Sequence, residues 1–309
     1  MKNLKWIYLI ALSIVWGSSF ILIKKSLVGL TPLQVGSFRI IFAAIFLLIF
    51  GFGKLKSIKL KQWKWITISG LLGSFFPVYF FAFAETEIDS AIASILNATT
   101  PLLTMTFGFL FFRALLSFNK VVGVLIGLAG TLGLILSGAS INPDQNYWFS
   151  LLVISATVCY AFNVNILKTY LNDVSVLGLT TGSFTVLLIP ALIVLYLTGF
   201  FEMEQFTSET KLSLVYISIL GVVNTGLAKI IFNRLVQISD PVFTSSVTYT
   251  IPVVAVGWGI LDGEIFSFWQ IISALVILVG VFIVNRSKRL MSGFSNKRNK
   301  KSPAGSEAL

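Results

Sequence analysis

The chain consists of ten apolar runs of about 20 residues, separated by short gaps that carry most of the charged residues. The hydrocarbon core of a bilayer is about 30 Å thick, so a helix needs about 20 apolar residues to cross it. Membrane-spanning strands would alternate apolar and polar residues, and these runs do not alternate. The sequence therefore predicts an all-α membrane protein with ten transmembrane helices. The runs, numbered here as spans one to ten, are Trp6–Ser26, Leu33–Phe52, Trp65–Ala84, Ser90–Phe112, Val121–Gly138, Trp148–Leu167, Val176–Gly199, Leu212–Arg234, Pro241–Leu261 and Ser267–Asn285.

The composition excludes most other classes of protein. Hydrophobic residues make up 56% of the chain and charged residues only 11%, whereas about 25% charged residues is usual in a soluble domain. A soluble enzyme, a disordered chain and a DNA-binding domain are therefore excluded. The net charge of +11 is interpreted as a topology signal, and no nucleic-acid partner is predicted. Histidine is absent and Cys159 is the single cysteine, so we predict neither a metal site nor a cofactor.

Lysine and arginine give the predicted orientation, because cytoplasmic loops are enriched in these residues. With the N-terminus inside the cell, 18 of the 23 cations fall in cytoplasmic segments. The polar segment 287–309 then becomes a basic cytoplasmic tail, which we predict to be disordered and to lie near anionic lipid. The sequence thus predicts a multi-pass protein of the plasma membrane, the inner membrane of a bacterium, with both termini in the cytoplasm.

The two halves of the chain resemble each other. A shift of 151 residues places Pro101 on Pro252, and a shift of 144 residues places Lys24 on Lys168. Each half holds five spans, and because five is an odd number the second half enters the membrane from the opposite side. The pattern predicts two five-helix inverted-topology repeats, a common plan among transporters. The predicted repeats are residues 1–140 and 141–286.

Short motifs recur in a fixed order over about residues 5–286. They are Trp16–Phe20 through Lys24 in span one, Pro32–Arg39 in span two, Asn97–Pro101 in span four, Tyr249–Pro252 in span nine, and then Gly263, Glu264, Gln270 and Gly280. In their order and spacing they resemble the EamA-type members of the drug/metabolite transporter superfamily, which carry ten spans as two five-span repeats. One position departs from the family pattern. Members often have Gly-Glu after span four as well, but the first-half counterpart of Glu264 is Arg113.

The resemblance implies a solute carrier, often an exporter of amino acids, other metabolites or drugs. It implies that spans one to four and six to nine surround a central cavity. Spans five and ten would then lie outside as packing faces or as the faces of a homodimer. The resemblance does not fix the substrate, because members of the family differ widely.

Three cations, Lys24, Arg39 and Lys229, lie within predicted spans. Ionisable groups inside a membrane are costly and usually functional. No acid lies at a comparable depth in any span, so we predict that these cations are unpaired and bind a carboxylate or another anionic group of a substrate. The alternative is that their long stems extend to the lipid headgroups.

Neutral polar and aromatic residues complete the predicted substrate site. Asn97 and Tyr249 belong to polar stretches beside Pro101 and Pro252, where a missing backbone N–H favours an interrupted helix. They are predicted to line the cavity, and the alternative is hydrogen bonding between helices. The remaining candidates are Trp16, Tyr79 and Tyr160, which would stack on an aromatic or apolar substrate, and the amides Asn163 and Asn224. For the aromatic residues, ordinary core packing is the alternative.

These features predict a secondary transporter, or permease, that exports a small organic metabolite such as an amino acid by alternating access. The alternatives are a channel and a membrane-embedded enzyme. An enzyme is disfavoured because the spans lack titratable groups beyond single cations, and the Walker sequence Gly-x4-Gly-Lys is absent. We also predict no proton relay on a buried carboxylate, since the acids lie at span ends or in loops, with Glu85 and Asp240 nearest to lipid depth.

Overall fold

The computed structural model describes residues 2–112, 118–141, 145–202, 207–239, 241–280 and 282–283. Within these ranges the chain forms helices and no strands, which confirms the all-α prediction. Arg113, Asp240 and the predicted basic tail lie outside the described residues.

Eight helices are long and apolar enough to cross a membrane, and two further helices, at the positions of spans five and ten, carry shorter apolar stretches. Each of the ten predicted runs coincides with one of them. In chain order they are α1 (Lys2–Ser26), α2 (Pro32–Gly51), α3 (Leu60–Ala84), α4 (Ser90–Phe112), α5 (Phe118–Ile141), α6 (Ser150–Tyr170), α7 (Val176–Leu197), α8 (Ser208–Ile238), α9 (Phe243–Leu261) and α10 (Phe268–Gly280).

The outer surface of the helices is apolar. Ile49 on α2, Leu136 on α5 and Ile189 on α7 are each about two-thirds exposed or more. Such a surface would be unfavourable in water and is stable against lipid tails. Together with the helix lengths, it shows a multi-pass integral membrane protein.

The start of α2 is fixed by a local capping arrangement. The Thr31 hydroxyl accepts a hydrogen bond from the Gln34 backbone N–H at 3.4 Å, and the Gln34 side chain accepts one from the Thr31 backbone N–H at 2.9 Å. Pro32 follows at the first helical position, where its fixed φ is favourable. This start places Arg39 two turns into the helix.

Four helices are interrupted near their middles, two in each half of the chain. π-helical turns occur in α3 at Leu71–Phe75 and in α8 at Leu220–Leu227. In α4 a turn at residues 98–99 separates two helical segments, and in α9 a 3-10 turn, Ser246–Tyr249, has the same effect. Such turns release backbone groups from regular helical bonding and often mark functional sites.

The helices of the two halves pack against each other. Helices α2 and α7 lie side by side, α1 contacts α8 and α9, and α6 contacts α3 and α4. Helices α1 and α6 therefore each pack against helices of the other half of the chain. The buried core lies between the halves, where the interrupted helices meet.

Candidate functional site

A cavity of about 90 Å³ lies between the two halves of the chain. The two π-helical turns contribute Gly73 and Ser74 from α3 and Asn224 and Thr225 from α8. Sequence reasoning missed Gly73, Ser74 and Thr225, because nothing in their local sequence distinguishes a π-helical turn from a regular helix.

Seven of the ten residues predicted for the substrate site line this cavity. They are Trp16, Arg39, Asn97, Tyr160, Asn163, Asn224 and Lys229. The structure therefore brings together residues from five different helices. The other three predicted residues, Lys24, Tyr79 and Tyr249, are not among the lining residues.

Arg39 and Lys229 are basic residues that line the cavity. The Arg39 side chain is only 8% exposed, and its Nε donates a hydrogen bond to Thr225 Oγ1 at 2.7 Å. Lys229 Nζ donates to the Gly73 carbonyl at 2.6 Å and lies 5.5 Å from the centre of the Phe232 ring. Both cations point into the protein rather than towards the headgroups. No Asp or Glu is found among the described residues that line the cavity.

The amide side chains are held by neighbouring helices. Asn224 Nδ2 donates to Ser19 Oγ at 3.0 Å and also to the Val15 backbone carbonyl, while the backbone carbonyl of Asn224 accepts from Trp16 Nε1 at 2.9 Å. Asn163 Oδ1 accepts from Ser69 Oγ at 2.6 Å. These bonds join α1 to α8 and α3 to α6, so the polar lining is fixed in position before any solute enters.

A glycine makes room for one of these amides. The Asn163 side chain lies where a Cβ on Gly73 would stand. Because a side chain at position 73 would collide with the amide, only glycine allows α3 and α6 to approach this closely. The position of Asn163 in the cavity therefore depends on the missing side chain.

Of the three predicted aromatic residues, Trp16 and Tyr160 line the cavity and Tyr79 does not. The rings of Trp16 and Phe232 lie 5.1 Å apart in the wall of the cavity, and Tyr160 stacks on Phe81 at 6.3 Å. Tyr79 instead packs against α2, where its hydroxyl shares a hydrogen bond with Ser37 Oγ at 2.9 Å. Tyr79 thus serves helix packing in this structure.

The prediction that Lys24 is unpaired was wrong. Its Nζ lies 2.8 Å from Glu264 Oε1 and 3.6 Å from Asp262 Oδ2. Both acids belong to the turn after α9, which Gly263 reverses with a φ of 87°. In the sequence both acids follow span nine and lie outside every span, so no acid is expected at the depth of Lys24.

Lys24, Lys25, Asp262 and Glu264 form an ionic cluster at the end of α1. Glu264 also accepts hydrogen bonds from the Ser90 hydroxyl at 2.6 Å and from the backbone N–H of Ser90 at 3.1 Å. It therefore connects α1 to the first turn of α4, where backbone N–H groups favour a negative charge. Lys25 contacts Asp262, and this hydrogen bond holds the pKa of Asp262 below its ordinary value.

Lys168, the counterpart of Lys24 in the second half, is held in a different way. Its Nζ donates to the carbonyls of Val236 at 3.2 Å, Gln237 at 3.4 Å and Ser239 at 2.9 Å. A lysine at a helix C-terminus satisfies carbonyls that have no partner within the helix. One end of α1 is thus secured by carboxylates and the equivalent end of α6 by backbone carbonyls.

Known proteins resemble this chain over nearly its full length. Residues 4–136 and 147–286 match a family described as EamA-like transporters. The chain is 28% identical to the uncharacterized inner membrane transporter YedA of Escherichia coli (strain K12), over 91% of this chain and 90% of that protein. It is also 28% identical to the uncharacterized transporter YdfC of Bacillus subtilis (strain 168), over 93% and 94% of the two chains. A protein of known crystal structure superposes with a TM-score of 0.64 over 92% of this chain and 97% of its own, at 17% identity, which shows a shared fold.

Proposed function

Because the chain belongs to the EamA-like transporter family, we propose that this membrane transporter is a secondary carrier for a small organic solute that bears a carboxylate or similar anionic group. One observation carries the proposal. Arg39 and Lys229 both line the central cavity, and no Asp or Glu is present among its described lining residues.

The charge of the cavity favours an anion on energetic grounds. Two cations in a site of low dielectric are costly without a counter-charge, and their present partners, Thr225 Oγ1 and the Gly73 carbonyl, are neutral. A carboxylate can accept charge-assisted hydrogen bonds from a guanidinium and an ammonium group together. The cavity volume of about 90 Å³ favours a small solute in this conformation, and Trp16 and Phe232 provide an apolar wall for its carbon skeleton.

The matched interruptions of the helices support transport by alternating access. Two inverted five-helix repeats can rock around a fixed central site. The turns in α3 and α8, and those in α4 and α9, fall at equivalent positions of the two repeats. In this proposal the ionic cluster closes one end of the pathway, and the contacts of Lys168 close the other.

The proposal includes the membrane and the direction. One relative is named an inner membrane transporter, and we place this chain in the same membrane with both termini in the cytoplasm. We propose that it exports its solute down the solute's own outward gradient.

Counterflow in proteoliposomes tests the proposed function. Vesicles containing the pure protein and unlabelled succinate are supplied with trace labelled succinate, and parallel vesicles use choline or glucose instead. We expect labelled succinate to exchange, and labelled choline and glucose not to exchange. Arg39→Gln should slow it about 10- to 100-fold, since a charge-assisted hydrogen bond contributes about 1.5–3 kcal/mol.

The matched control is Lys211→Gln, which removes an exposed cation at the start of α8 and should leave exchange unchanged. Exchange of choline at the rate of succinate, or equal rates in wild type and Arg39→Gln, would contradict an anion site at Arg39.

A further inference from the structure

Glu85 is a buried acid that the proposed solute site does not use. It follows directly after α3, where the helix end turns into the interior, and its side chain is only 6% exposed. Both carboxylate oxygens are buried, and within the described part of the chain no donor forms a hydrogen bond with either of them. Buried polar groups nearly always have a partner, so an acid without one needs a functional or structural explanation.

The charged groups that face Glu85 come from three separate elements. They are Glu264 in the turn after α9, Arg39 on α2 and Lys24 on α1, and Glu85 interacts electrostatically with all three. Among the described residues, neither Arg39 nor Lys24 lies within 4 Å of its oxygens as an ion pair. Glu85 thus interacts electrostatically both with Arg39 of the central cavity and with Lys24 and Glu264 of the ionic cluster.

This environment favours the neutral carboxylic acid. A carboxylate loses hydration on burial, and the charge of Glu264 opposes a second negative charge nearby. Burial, reinforced by Glu264, raises the pKa of Glu85 well above its ordinary value. Water can reach this end of the molecule, since a pocket of about 200 Å³ is lined there by Lys24, Asp89 and Glu264.

Arg39 connects this acid to the solute. A solute carboxylate bound to Arg39 would neutralise the cation that otherwise favours ionised Glu85. Glu85 would then retain its proton. When the solute leaves, the guanidinium becomes available to Glu85, and an ion pair between them would favour loss of the proton. Solute anion and proton would therefore be bound together and released together.

We propose that Glu85 is a proton-binding site that couples movement of the solute anion to movement of a proton in the same direction. The Glu85 carboxylate takes a proton from water on one side of the membrane and returns it to water on the other side, and no other reactant takes part. The coupling rests on the proposed transport function, whereas the proton site itself does not. This inference departs from the sequence-based prediction of no proton relay on a buried carboxylate. Glu85 does lie at the end of a span, as the sequence indicates, but its side chain is buried there.

The test compares wild type, Glu85→Gln and the exposed control Glu202→Gln in proteoliposomes. Labelled succinate is the probe, and the membrane potential is clamped with potassium and valinomycin. An acidic exterior should drive succinate into wild-type and Glu202→Gln vesicles. Glu85→Gln should lose at least tenfold of this gradient-driven accumulation and retain succinate exchange at equal pH. The coupling would be overturned if gradient-driven accumulation persisted in Glu85→Gln, or if the pH gradient caused no accumulation of succinate in wild-type vesicles.

Infrared spectroscopy of the same vesicles provides a readout that needs no transport. Near neutral pH and with saturating succinate on both sides of the vesicle membrane, wild type and Glu202→Gln should show the C=O stretch of a protonated protein carboxylic acid, and Glu85→Gln should lack it. Absence of the band from wild type, or its persistence in Glu85→Gln, would overturn the proton site. If no variant exchanges succinate, the proposed solute class fails, and the infrared band alone decides for or against the proton site.

Discussion

At the residue scale, Glu264 holds together parts of the chain that are far apart in sequence. It accepts hydrogen bonds from Lys24 of α1 and from the side chain and backbone of Ser90 at the start of α4. Its side chain is almost fully buried, while Lys24 is about one-third exposed. Solvent screening therefore weakens the attraction to Lys24, and the bonds to α4 carry more of the stabilisation.

Glu264→Gln should lower the free energy of unfolding by about 1.5–3 kcal/mol, the usual contribution of a hydrogen bond to a charged group. Thermal unfolding of the purified protein in detergent measures the change. Glu209→Gln removes an exposed acid and should leave the unfolding temperature unchanged. Equal unfolding temperatures for Glu264→Gln and wild type would show that the ionic cluster contributes little to stability.

The same residues show how far a sequence can predict a site. Arg39 and Lys229 could be placed in the cavity because a cation inside an apolar run is a local signal. The pairing of Lys24 with Glu264 joins positions 240 residues apart, and no local pattern reports such a contact. The burial of Glu85 could not be predicted for a related reason, since the sequence shows that this acid follows a span but not that the end of that span turns inwards.

At the scale of the helix, eight of the ten predicted spans fall on helices that are long and apolar enough to cross a membrane, because a span of about 20 residues is a strong local pattern. Spans five and ten fall on helices with shorter apolar stretches. The π-helical turns in α3 and α8 were not predicted. They arise where helices of the two halves cross, as at Gly73 against Asn163, and the choice of turn is made by packing rather than by the intrinsic preferences of the residues.

Gly73→Ala tests the role of this crossing. The new methyl group would collide with the Asn163 amide, so we expect a loss of about 1–3 kcal/mol in stability together with slower succinate exchange. Gly70→Ala in the same helix is the matched control, because its Cβ would lie in ordinary contact, 3.4 Å from Ser183. If both variants behave alike, the close approach of α3 and α6 does not shape the site.

At the scale of the whole molecule, the cation pattern predicts that the two halves are inserted with opposite orientations. Reporter fusions after Lys61 and Lys297 should give a cytoplasmic signal, and a fusion after Glu204 should give an external one, because lysine and arginine are retained on the cytoplasmic side. An external signal at Lys61 would contradict the proposed orientation.

The central claim is that the cavity between the halves selects its solute by negative charge. The most direct test varies the charge of the competitor and holds its shape nearly constant. Exchange of labelled succinate is measured in competition with succinate, succinamate and succinamide, which carry two, one and no negative charges. We predict that competition weakens in that order, by about tenfold or more for each charge removed, and that Arg39→Gln removes much of the difference. Equal competition by succinamide and succinate in the wild type would contradict the account.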